Sequence, residues 1–165
     1  MRTSLLLATA ASLPLVGRTV ATQASPPAFN NRVEEIPVTR KARGTFEVKL
    51  TPQAMHSPDL GRMTIDKEIH GDLEAVTAGE MLSAMTAVKG SAGYVAMELV
   101  KGTLHGRKGS FVLQHSATMN RGVPDLAVVV VPDSGTEGLT GLTGRFNIII
   151  EGSRHSYEFE YTLPD

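Results

Sequence analysis

The sequence contains no cysteine and no tryptophan. The first absence excludes disulfide staples, thiolate metal sites and a cysteine nucleophile, and leaves the redox compartment open. Charge of either sign is also missing in excess: 16 basic residues nearly cancel 17 acidic ones, with no long run of one sign. That balance argues against a nucleic-acid footprint or a polybasic membrane patch. No apolar stretch reaches the roughly 20 residues that a bilayer-spanning helix needs. No Gly-x-Ser-x-Gly elbow is present, and the glycine-rich segment "PDSGTEGLTGLTGR" lacks the lysine and following helix of a phosphate-binding loop, so neither a nucleophile motif nor a cofactor is implied. The expected partners are neutral or small, with nucleic acid and a membrane span set aside.

What is present falls into two kinds of sequence. The start, "MRTSLLLATAASLPLVGRTVATQASPP", runs from one positive charge through an apolar stretch to small residues, the layout of a secretory signal cleaved after Ala24. Residues 1–24 are therefore read as an export signal, with an organelle transit peptide as the rival because Arg2, Arg18 and Arg32 precede the first acid, Glu34. Residues 25–43 are proline-rich, then basic, and read as a linker. From Gly44 to Asp165 the chain alternates apolar and polar residues and breaks at turn residues, the pattern of antiparallel strands.

Eight strands are expected: Thr45–Leu50, Arg62–Ile69, Leu73–Met85, Tyr94–Leu104, Ser110–Met119, Leu126–Val131, Leu142–Glu151 and His155–Leu163. "EMLSAMTAV" (Glu80–Val88) also fits a short helix. An open sheet of this size leaves two exposed edges, which closure removes. The expected fold is all-β, a closed eight-stranded antiparallel meander barrel, whose interior is just wide enough for side chains or one small ligand.

Two hairpins can be registered from their turns. A turn centred on Gly106 and Arg107 would oppose Leu104 to Gly109, Gly102 to Phe111, Val100 to Leu113, and Glu98 to His115. Glu98 and His115 are then the only ionisable groups on an otherwise apolar face, within ~5 Å of each other at Cβ. A turn at Gly152 and Ser153 pairs Glu151 with Arg154 and Arg145 with Glu160, leaving Phe146, Ile148, Ile150, His155, Tyr157, Phe159 and Tyr161 on the other face.

A buried carboxylate and imidazole must satisfy one another, since an unpaired charge on such a face is very costly. The pair therefore reads either as a structural element or as a carboxylate-oriented histidine that holds a ligand or moves a proton. Lys67 alternates with Ile65 and Ile69 and could complement Glu98 from inside, although such lysines more often reach for water. Tyr94, Tyr157 and His155 complete the set of candidate ligand-binding residues. His56, His70 and His105 are expected in solvated loops or turns. A metal site from His115, Glu98 and His155 lacks the spacing of a ligand set.

Five stretches, "GTFEV", "GDLEAVTAGEML", "GSAGYVAMELVKGTLHGRKGSFVLQH", "VVVVPDSGTEGLTGLTG" and "HSYEFEYTL", together resemble the domain of unknown function 3224 family, in order and across Gly44 to Leu163. The resemblance implies a barrel similar in shape to allene oxide cyclase and brings no catalytic residues with it. Three functions stay open: binding of a small apolar molecule, an isomerase or cyclase using the Glu98–His115 pair, and a solid-cored barrel that works through its surface or as a homo-oligomer.

Overall fold

In the computed structural model, which describes residues 38–164, eight antiparallel strands follow one another in chain order and close into a barrel. They are β1 (Arg40–Gln53), β2 (Leu60–Gly71), β3 (Leu73–Met85), β4 (Ala92–Leu104), β5 (Arg107–Asn120), β6 (Val123–Val130), β7 (Thr143–Glu151) and β8 (Arg154–Thr162). The export signal and most of the linker lie outside the described residues. β1 begins at Arg40, so the basic "RKARG" stretch is strand rather than linker. Its residues pair with β8, with Ala42 opposite Phe159 in the core. Glu80–Met85 continues β3 rather than starting a helix, because each of its residues has a partner on β4.

The β7–β8 hairpin has the expected register, with Glu151 opposite Arg154 and Arg145 opposite Glu160. The β4–β5 hairpin does not. Its turn residues are His105 and Gly106, both at positive φ (44° and 82°), as a two-residue turn that matches strand twist requires. Glycine enters this region without penalty, whereas a histidine there is uncommon. Leu104 therefore faces Arg107, Gly102 faces Gly109 and Val100 faces Phe111. The displacement is two residues, so every side chain keeps its face. Glu98 lies opposite Leu113, and His115 opposite Ala96.

The barrel differs at its two ends. Phe111, Phe146, Tyr157, Phe159 and Tyr161 are all buried in one half and contact one another, with ring centroids 4.9–5.8 Å apart. That half is closed by the β6–β7 connection, whose single 3₁₀ turn (Glu137–Leu139) sets Leu139 and Leu142 into the core. Gly109 makes room for it, since a Cβ there would stand 2.3 Å from the Thr136 carbonyl oxygen. The other end is formed by the β1–β2, β3–β4, β5–β6 and β7–β8 connections. There the inward positions are only part-buried (Met63, Met81, Tyr94, Ala117, Ile148, His155) or exposed (Leu50, Met85, Met119, Leu126, Ile150). Aromatic packing thus fills one half, whereas toward the other end, here called the mouth, the inward positions are mostly apolar and partly exposed.

The closure has a weak seam. β4 and β5 pair along their full length, but among the described residues β6 and β7 meet through a single pair, Val129 and Arg145. Sparsely bonded backbone opens first. In native-state hydrogen exchange, β6 and β7 amides that point at the seam are expected to exchange ahead of those between β4 and β5. Equal protection would contradict a seam at this place.

Candidate functional site

The polar centre of the interior is built on four strands. Among the described residues, Lys67 (β2), Thr77 (β3), Glu98 (β4) and His115 (β5) are the buried polar or charged ones, each less than 8% exposed. Period-two alternation points them inward beside Ile65, Ile69, Val100 and Leu113. Glu98 is the hub. Its Oε2 accepts from Lys67 Nζ at 2.7 Å and lies 2.9 Å from His115 Nε2, while Oε1 accepts from the Thr77 hydroxyl at 2.6 Å. The Thr77 oxygen in turn accepts the Lys67 backbone N–H at 3.1 Å. Gly79, paired with Glu98 across β3–β4, leaves room for the carboxylate stem: a Cβ there would stand 3.1 Å from Glu98 Cβ and 2.7 Å from the Met97 carbonyl oxygen.

Burial alone pushes the Glu98 carboxyl upward, but His115, Lys67 and Thr77 together outweigh it and bring it down to about 2. Glu98 is thus ionised at neutral pH and balanced by the Lys67 ammonium. The His115 nitrogen nearest an ionised carboxylate must carry its proton, so Nε2–H is the donor, a tautomer assigned from the network. The Lys67 ammonium also lies 5.2 Å from the centre of the Phe46 ring. The opposite edge of that environment is His155, whose ring stacks on Phe46 at 5.3 Å.

The structure brings Lys67, Glu98 and His115 into one cluster, although Glu98 and His115 meet diagonally rather than face to face. Lys67 points inward rather than out to water. Tyr94 and His155 sit part-buried toward the mouth. Tyr94, four residues from Glu98 along the same inward face of β4, has its phenol pushed up by burial and by the Glu98 charge, so it keeps its proton. Tyr157 lies apart from the site: its hydroxyl oxygen accepts the Leu73 backbone N–H at 3.0 Å at the closed end, with its ring over Gly44. Thr77 is a further site residue, at an inward polar position of the alternation pattern between Ala75 and Gly79, where a small hydroxyl residue carries no signal of its own. His105 is an exposed turn residue as expected, with Nδ1 2.6 Å from the Tyr161 hydroxyl, whereas His70 is exposed but lies near the end of β2, 3.2 Å from Glu74. Among the described residues, no three His, Asp or Glu side chains are grouped to hold a metal ion.

With this geometry in hand, comparison with known proteins settles the lineage. The sequence pattern of the family described as a protein of unknown function (DUF3224) matches residues 42–161. The chain belongs to the DUF3224 family. A crystal structure of a DUF3224 protein of unknown function from Shewanella oneidensis MR-1 is 52% identical, with a TM-score of 0.74, over 78% of this chain and 99% of that one. No functionally curated protein matches. The DUF3224 barrel is therefore shown by sequence and structure alike, and the role of its charged centre has to be argued from the residues.

Proposed function

We propose that this protein binds a small, largely apolar molecule in the open half of its barrel. The observation that carries the reading is the asymmetry of the interior. Aromatic rings fill one half, while in the other the inward positions are mostly methionine, leucine, isoleucine and alanine, with Tyr94 and His155, and are partly exposed above a floor of paired charges. Binding sites are characteristically apolar hollows with a few fixed polar groups. Glu98 is engaged at both oxygens and serves as an anchor for His115 rather than as a free acid or base, which favours recognition over an isomerase or cyclase reaction.

Two measurements test this. Native mass spectrometry of the protein from its own source should show a co-purifying small molecule, and the neutral apolar dye N-phenyl-1-naphthylamine should bind saturably at one site. Ala117→Trp, at a part-buried inward position beside Tyr94, should abolish dye binding without changing the β-sheet spectrum. Dye binding unaffected by Ala117→Trp would place it elsewhere and remove the support.

A further inference from the structure

We infer that the molecule bound in the mouth carries an uncharged hydrogen-bond donor, a hydroxyl on an apolar body, which is received by Nδ1 of His115. The inference rests on the binding reading above and deepens it. Glu98 fixes the ring by accepting from Nε2, so in the neutral imidazole Nδ1 is left with a lone pair. Among the described residues Nδ1 has no hydrogen-bond partner. Yet no side-chain nitrogen or oxygen closed off from solvent lacks one among those residues. Nδ1 therefore keeps contact with accessible space, even though the residue as a whole is 3% exposed.

The surroundings select what can meet it. The neighbouring inward positions are Ala96, directly across β4–β5, and Ala117, two residues toward the mouth on the same strand, both too short to reach the ring nitrogen or satisfy it. The charges of Lys67 and Glu98 cancel within a 2.7 Å contact, so the site has no net charge to offer an anionic head while the imidazole is neutral. A carboxylate would have to bring a proton with it, whereas a hydroxyl donates directly. The Tyr94 phenol, held protonated near the mouth, offers a second group that can donate to the hydroxyl oxygen.

The test uses three probes of equal apolar length, 4-octylphenol, 4-octylanisole and 4-octylbenzoate, competing with N-phenyl-1-naphthylamine on the full barrel at pH 8. The phenol is expected to bind ~10-fold more tightly than its methyl ether, as one added hydrogen bond in a sheltered site implies. His115→Ala should erase that preference, so that phenol and ether bind alike, because the Nδ1 acceptor is lost. His115→Gln, which keeps a donor for Glu98 and an acceptor carbonyl, should retain the preference. The wild-type comparison needs no variant and stands even if His115→Ala does not fold. Equal binding of phenol and ether overturns the donor assignment while leaving the binding reading intact. Tighter binding of the benzoate also overturns it. Failure of dye and all three probes to bind overturns both readings.

Discussion

Replacing Glu98 by glutamine is expected to cost the fold about 3–5 kcal/mol in urea unfolding at pH 7, among the largest effects of any conservative change in this chain. The amide is the same shape, but its single carbonyl oxygen can accept either from Thr77 or from Lys67 and His115, since these donors bond to different oxygens of the carboxylate. What it lacks is charge, and Lys67, 6% exposed, is left as a buried cation with no counter-ion. Breaking one member of a buried pair costs far more than removing both. Adding Lys67→Met to Glu98→Gln should therefore raise stability above that of Glu98→Gln alone, a reversal of sign that loss of packing would not produce. A Glu98→Gln protein within about 1 kcal/mol of wild type would mean that the cluster contributes little, contrary to the geometry.

The same carboxyl makes an acid-side prediction whose sign follows from its displacement. Its folded-state value of about 2 lies below the ordinary 4.5, so Glu98 contributes stability that is fully present above pH 4.5 and is lost as pH falls through about 2. Integrated over that window, the contribution is about 3 kcal/mol. The stability gap between wild type and Glu98→Gln should thus hold steady from neutral pH down to about 5 and close between 4.5 and 2. A gap unchanged at pH 3 would show that Glu98 is not held ionised by its neighbours.

Much of this barrel could be read from alternation alone. Eight strands, the inward face of β4 and β5, and the isolation of Glu98 and His115 on it all follow from period-two patterning, which survives a register error of two residues. The error arose in "LHGRKG", where several residues can occupy a turn. Only the positive φ of His105, which a propensity argument disfavours, decides between them. The inward choice of Lys67 was not legible because alternation permits both an inward lysine and one that reaches water. It is decided by Glu98, 31 residues away and on a strand that is not its neighbour. The start of β1 at Arg40 was hidden for a similar reason: "RKARG" is polar on its outward positions, and its one core residue, Ala42, is small so that Phe159 can lie opposite it. The 3₁₀ turn that plugs the closed end lies in a glycine-rich segment whose function is to fit under β5, a fact about Gly109 and Leu139 together.

Phe159→Ala is the second large effect expected, a loss of about 3–5 kcal/mol by denaturant titration. The ring is fully buried and touches Phe111, Phe146 and Tyr161, with centroids at 5.8, 5.6 and 5.2 Å. Its neighbours cannot collapse into the space, because each is held by its own strand in a closed ladder, and a Cβ on Gly144 would already stand 2.8 Å from this ring. Ile150→Ala, on the same inward face but at the mouth and 63% exposed, should change stability by no more than about 0.5 kcal/mol. The contrast measures the asymmetry on which the binding reading depends. If ligands occupy the mouth, Phe159→Ala should also leave dye affinity within about threefold of wild type wherever the variant is still folded, since the vacated space lies beyond the Lys67–Glu98–His115 floor. A dye that instead bound far more tightly to Phe159→Ala would show that an apolar void in the closed half accepts the probe better than the mouth does.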